Sequence, residues 1–356
     1  MNMLEYIKET PSVLKHVLAT KNKALDEVVG ALKDRDIEHI YLVGSGTSCF
    51  AGIGAKNFIE DVLATWVTPI VPNAFIDQNT IKGEKVIVFG ISQSGGSTST
   101  MRALEVARTR GNICVSVAGE INTEIEKLGD YHVHIDCGTE VAVAKTKGYI
   151  ATLLMCYLIG LELAKAKATI SQGKYDDLLH RLSTTVENIG MIIDKSEKWA
   201  DTVKSDLTDK HQFMVVGYQN QWATVQEAAL KLLETVRIGV SGYEVEEFMH
   251  GIYNAINDQS VLFYIGSASE KYFERGVKLM NYLSKSTSFQ YFISAEKNEN
   301  ARCLTLNFVD DEYFSPMEYI VPFQMLCYKV AVAKGINPSL PSDPEFHKNM
   351  NSKIKK

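Results

Sequence analysis

The stretch "VIVFGISQSGGSTST" (residues 86–100) decides how this chain folds. Val86, Ile87, Val88 and Phe89 make an unbroken apolar run that stops at Gly90 and gives way to Ser, Gln, Thr and Gly. A run that is apolar at every position, not at alternate ones, suits a strand covered on both faces. The patch that follows cannot fill a core. It offers hydroxyls and bare backbone amides at the end of a buried strand, just before a helical pattern over 97–110. That is the strand–loop–helix unit of a parallel sheet, whose ligands sit at the C-terminal ends of the strands.

The same unit recurs along the chain. "HIYLVG" (39–44), "VIVFG" (86–90), "ICVSVAG" (113–119) and "HVHID" (132–136) read as strands of one sheet, with helical patterns between them. "FMVVG" (213–217), "VLFYIG" (261–266), "FQYFIS" (289–294) and "LTLNF" (304–308) read as strands of another. Gly44 recurs as Gly217, Gly90 as Gly266, and Cys156–Tyr157 as Cys327–Tyr328, all at nearly the same offset. A period that long means two copies of one domain. The expected fold class is therefore α/β, with two doubly wound, flavodoxin-like parallel sheets in tandem. The expected division is a helical arm over 1–36, a first domain over 37–167, a helical connector over 168–207, a second domain over 208–336 and a tail over 337–356.

Composition narrows the function classes. Of 356 residues, 46% are hydrophobic and 22% charged, with a net charge of −6. Nothing there invites nucleic acid or an anionic membrane as partner. The N-terminus has no signal-peptide core. "YIATLLMCYLIGLELA" (149–164) is too short for a bilayer and reads as a buried helix, so the expected location is cytoplasmic. Six cysteines without a CxxC pair read as reduced thiols. His132 and His134 alternate on one strand face, but no further metal ligand lies near them in sequence, so no metal is assigned.

Three segments of the first copy follow strands and precede helices: "GSGTS" (44–48), "SQSGGST" (92–98) and "GTEVAVAKTKG" (138–148). Gly gives tight turns with exposed N–H groups, Ser and Thr add donors, and the helix N-terminus adds partial positive charge. Phosphate suits such a site, although a hydroxyl also caps a helix with no ligand. "GSGTS" is not the dinucleotide fingerprint, because Cys49 stands where the third glycine belongs. In the second copy, "GYQNQ" (217–221) and "GSASE" (266–270) replace the first two segments, and Glu270 would repel phosphate. One phosphate site per chain is expected.

The second copy carries "TVQEAALKLLETVRIGVSGYEVEEFMHG" (224–251) instead. Glu227, Lys231 and Glu234 fall on one face of a helix. They could be a solvated face with i,i+4 pairing. The remaining positions are apolar nearly all round, which argues for burial, and buried charges are costly unless paired or used. His250 taken alone reads equally as a capping or core residue.

"GSGTS" followed by "SQSGGST" resembles the sugar isomerase (SIS) domain family. The tandem arrangement resembles the fructosamine-6-phosphate deglycases and the isomerase half of glucosamine-6-phosphate synthase. The resemblance implies phosphate contacts from Thr47, Ser48, Ser92, Gln93, Ser94 and Ser97, with Gly46, Val143, Ala144 and Glu227 lining the sugar. Lys145 stands where the synthase has serine. The synthase helix E-x-A-L-K-L-x-E matches Glu227, Lys231 and Glu234, and His250 follows at the family's spacing. The resemblance then makes His250 the ring opener and Glu234 the group that carries a proton between C1 and C2. It implies a homodimer, or a dimer of dimers, with His250 donated to the partner's site. It also implies a tail lysine over the sugar, with Lys348 the candidate. No cofactor is implied, because the open-chain carbonyl activates its own α-proton. The chain begins Met-Asn-Met without the cysteine of a glutaminase, so no ammonia from glutamine is expected. A deglycase for an aminated sugar 6-phosphate of the fructoselysine or glucoselysine type is the favoured reading. An aminosugar-phosphate deaminase or isomerase is the alternative, and a non-catalytic sugar-phosphate sensor is a third.

Overall fold

In the computed structural model, which describes residues 2–267, 271–296 and 302–354, the apolar run of 86–91 is a central strand with neighbours on both sides. The first sheet holds β1 (His39–Gly44), β2 (Trp66–Ile70), β3 (Val86–Ile91), β4 (Ile113–Ala118) and β5 (Tyr131–His134), in the order β2-β1-β3-β4-β5. Every pairing is parallel. The second sheet holds β6 (Gln212–Gly217), β7 (Gly239–Glu244), β8 (Val261–Gly266), β9 (Gln290–Ser294) and β10 (Leu304–Thr305). Its order is β10-β9-β8-β6-β7, again all parallel. Counted from its own first strand, that is the arrangement of the first sheet. The repeat read from scattered glycines is thus a repeat of topology. Both sheets are of the doubly wound, flavodoxin-like kind.

The backbone separates into two compact units. The first comprises Ser12–Glu140, Lys147–Ser183 and Pro341–Lys356, and the second comprises Met1–Pro11, Val141–Thr146 and Thr184–Leu340. This differs from the division expected from sequence. The arm, the connector and the tail do not stand apart as separate pieces. The connector is mostly one helix, Gln172–Val203, divided between the units at residue 183. The arm is two helices, Met3–Ala19 and Lys21–Leu32.

Two strands were not foreseen. β2 contains Pro69 and an exposed Trp66, and β7 is "GVSGYE" with no apolar run. Both are edge strands, where proline and half-exposed residues are tolerated. β10 is shorter than expected because only Leu304 and Thr305 pair with β9.

In the first unit, Tyr41, Val43, Val88, Leu104 and Cys114 share one core cluster, closed by Phe75 and Ile125. The helix Lys147–Ala166 is the one helix among the described residues long and apolar enough to cross a membrane, and it is mostly buried within the fold. The equivalent cluster of the second unit holds Met214, Val216, Leu262, Tyr264 and Phe248. Five of the six cysteines are buried and all six are unpaired.

Candidate active site

In a doubly wound sheet the crevice lies where successive crossovers part, outside the C-terminal ends of the two strands that flank the parting. In the first unit those strands are β1 and β3, which pair in register with Gly44 opposite Ile91. "GSGTS" and "SQSGGST" leave from these two ends.

Each loop is shaped by close approach. A side chain on Gly44 would put its Cβ 2.9 Å from that of Ser48. Gly46 has φ 53 and forms the N-cap of the helix Thr47–Leu63. Gly95 has φ 66, and a Cβ there would fall 2.3 Å from that of Thr123. The hydroxyls knit the two loops together. Ser92 Oγ accepts the Ser97 N–H at 3.3 Å. Ser97 caps the helix Thr98–Thr109, accepting from the Thr100 N–H at 3.5 Å and its hydroxyl at 3.0 Å. Ser45 and Ser99 meet across the loops at 3.3 Å. Ser48, Ser92 and Gln93 are buried, whereas Thr47, Ser94 and Ser97 are half-buried. Gln93 Nε2 lies 3.9 Å from Cys137 Sγ, and its Oε1 finds no hydrogen-bond partner among the described residues. A buried amide oxygen left in that state is costly.

Gly95→Ala should destabilise the chain by about 2–4 kcal/mol, the sum of a left-handed backbone and an overpacked contact. Denaturant unfolding reads this directly, and a variant as stable as the parent would mean that the loop takes another path.

Sequence reasoning missed two residues of this unit. Glu140 and Lys147 are both about 1% exposed. The Gly148 N–H donates to Glu140 Oε2 at 2.9 Å. A Cβ on Gly148 would stand 3.0 Å from that oxygen and 3.3 Å from Gln93, so only glycine lets the three crowd together. A signal was present. Lys147 opens a long apolar helix, where a cation opposes the helix dipole, so a lysine there asks for another explanation.

The tail also reaches these loops within the first unit. Thr98 Oγ1 donates to the Asn351 carbonyl at 3.1 Å, and the Thr98 N–H reaches the Ser352 carbonyl at 3.4 Å. The Ile354 N–H donates to the Gly96 carbonyl at 3.0 Å, and Ser97 and Lys353 form an antiparallel bridge. Lys348 points into its own turn, 2.8 Å from Glu345. The tail lysine beside the loop is Lys353.

In the second unit, the helix Gln221–Val236 presents the charged trio. Lys231 is 1% exposed, and its ammonium lies 2.6 Å from Glu234 and 3.6 Å from Glu227. Burial alone would depress its pKa, but Glu227 and Glu234 outweigh that and hold it above the ordinary lysine range. The Glu227 side chain is fully buried, whereas that of Glu234 is 28% exposed. The helix is therefore not sealed all round, because Leu233 and Glu234 open one edge to solvent. A paired carboxylate on a rigid helix with one side open can serve as a proton acceptor, and a buried ammonium beside it can stabilise a developing oxyanion.

His250 lies on an exposed turn of the same unit. That turn is pinned by buried Val245 and Phe248, by Glu244 accepting the N–H groups of Glu246 and Glu247 at 2.7 and 3.0 Å, and by a two-bond Arg275–Glu246 pair. The described contacts of Lys231 and Glu234 do not include His250. Val143 is 40% exposed and Ala144 is buried. The Glu270 expectation falls outside the described residues. Among the described residues, no three His, Cys, Asp or Glu side chains gather as a metal would require. His132 is bonded to Ser116 at 2.8 Å, and His134 stands 3.9 Å from Asp136.

Comparison with known proteins bears on the family and the fold. A model of the SIS domain matches residues 35–161. The isomerizing glutamine–fructose-6-phosphate aminotransferase of Caldanaerobacter subterraneus subsp. tengcongensis is 27% identical over 354 residues. The match covers 95% of this chain but only 57% of that enzyme, so the chain spans little more than half of its relative. A protein of Clostridium difficile 630, provisionally assigned as a phosphosugar isomerase, superposes with a TM-score of 0.93 at 33% identity, with both chains fully covered. Another from Salmonella typhimurium LT2, provisionally assigned as a sugar binding protein, gives 0.85 at 35% identity over 92% of this chain and 99% of that one. Likeness at that identity over the full length is more than a shared fold, and the chain belongs to the SIS domain family.

Proposed function

We propose that the chain is a deglycase that releases an amine from an aminated hexose 6-phosphate. The observation that carries this reading is the partly exposed Glu234 carboxylate, held 2.6 Å from the buried Lys231 ammonium. Binding a sugar phosphate needs no such base, and a carbon acid reaction does. The fructose-6-phosphate and isomerizing activity named for the relative support the substrate class.

The hydroxyl loops after β1 and β3 would hold the phosphate, and His250 would open the ring. In the open 1-amino ketose, Glu234 takes a proton from C1, and the carbonyl oxygen becomes an enol beside Lys231. Glu234 returns the proton to C2 while the nitrogen lone pair closes a C1=N bond. Water adds at C1, the C1–N bond breaks, and the products are hexose 6-phosphate and the free amine. Atoms balance with one water consumed and no redox change.

Incubation with a panel of aminated sugar 6-phosphates, assayed for hexose 6-phosphate and amine, tests the proposal. Release from a 2-amino aldose alone would favour a deaminase. Tight binding without release would favour a sensor, which the sugar-binding assignment of the Salmonella protein keeps in play. The exposed position of His250 supports a site shared between two chains of a dimer. Mixing inactive Ser94→Ala and His250→Ala chains should then recover activity in the heterodimer, up to about a quarter to a half of the parent rate. Absence of recovery would place both residues in one chain's site.

A further inference from the structure

Arg237 ends the helix that carries Glu234, one turn beyond it, and adopts a left-handed conformation with φ 59 and ψ 49. Glycine or asparagine occupies that capping position at little cost, whereas a long side chain there is strained. A basic residue that only answered the helix dipole could sit a residue earlier without strain. The Arg237 guanidinium is exposed and makes no ion pair among the described residues. One N–H, from Nη2, reaches the Leu340 carbonyl at 2.9 Å, which leaves the rest of a five-donor fork to face outward.

The surroundings are of one chemical kind. The segment that Arg237 grips also takes the Val143 N–H on the Ser339 carbonyl, at 3.4 Å. Leu233, Val143 and Leu340 are 45%, 40% and 58% exposed. An exposed aliphatic surface ending in an unpaired guanidinium lies within one helical turn, about 5 Å along the axis, of the proposed carbon base. In an aminated sugar, the substituent on nitrogen is the part that projects away from C1 and C2.

Resting on the deglycase reading, we infer that Arg237 determines which amine is accepted: the leaving amine bears an aliphatic arm and a carboxylate, and the guanidinium binds that carboxylate. The bond is a charge-assisted pair, bidentate in its favoured geometry. The arm lies on Leu233, Val143 and Leu340.

The test compares two conjugates of 1-amino-1-deoxyfructose 6-phosphate, one made with 5-aminopentanoate and one with pentylamine. They share the arm and differ in the carboxylate. Calorimetry should show the parent protein binding the first about 10–100-fold more tightly. Arg237→Ala should erase that preference and leave pentylamine-conjugate affinity unchanged, and Arg237→Lys should keep part of it. Arg237→Gly should lose the preference while keeping or raising the melting temperature, because it relieves the left-handed strain. A parent protein with no preference, a preference that survives in Arg237→Ala, or equal weakening of both conjugates would overturn the inference. Amine release measured on the same samples separates the two ideas. Preference without release would leave the inference standing and sink the deglycase reading. Release without preference would do the reverse.

Discussion

Glu234→Gln is expected to lower kcat at least about a hundredfold, the contribution of a positioned general base, with substrate affinity close to the parent's. Glutamine keeps the size of glutamate and can still accept from the Lys231 ammonium. It cannot take a proton from carbon. Lys231 retains Glu227 at 3.6 Å, so the buried cation is not stranded and the fold should persist. The diagnostic readout is solvent deuterium. Glu234 has an open edge, so a proton that it holds can exchange before it is returned. The parent should therefore introduce deuterium at C2 of the product, and the variant should introduce none. Turnover and exchange at the parent rate would remove Glu234 from the mechanism and leave Glu227 as the next carboxylate to test.

Lys231→Met is expected to cost about 3–5 kcal/mol, the usual result of removing one partner from a buried ionic group. In a domain of this size that lowers the melting temperature by on the order of 10 °C. The loss arises because Glu227, fully buried on the same face, loses its neighbouring cation. Folding raises the Lys231 pKa above the ordinary lysine range. Its stabilising contribution is therefore fully present at neutral pH and is lost only as pH rises past that range. The difference between parent and variant should stay constant through neutrality. A variant as stable as the parent would show that the trio is not an ionic core.

Much of this was legible in the chain. Continuous apolar runs such as "VIVFG" and "VLFYIG" announce central strands, since burial on both faces leaves no room for alternation. β2 and β7 were not legible because edge strands escape that demand: Pro69 can lack its donor there, and Gly239 and Gly242 can lack side chains. The hydroxyl loops could be found because their composition exceeds what capping needs. Glu140 could not be placed, since a charged residue in a polar loop gives no sign that folding will bury it, whereas Lys147 at the head of an apolar helix did carry a sign that went unread. Arg237 was hidden for a different reason. Its meaning lies in a backbone angle, which a sequence reports only when glycine stands there. Which part of the tail meets the loop was a matter of register: Lys348 and Lys353 lie close in sequence, and the backbone bridge to Ser97 falls at Lys353.

The in-register pairing of β1 with β3 has a consequence for how such a protein can diversify. Gly44 and Ile91 are direct neighbours in the sheet, so the two hydroxyl loops spring from points about 4.8 Å apart and cannot drift without tearing the ladder. If the loops hold phosphate as proposed, a cradle so constrained would be indifferent to the rest of the ligand. Selection for a new amine or sugar would then leave these loops untouched and fall on side chains such as Arg237.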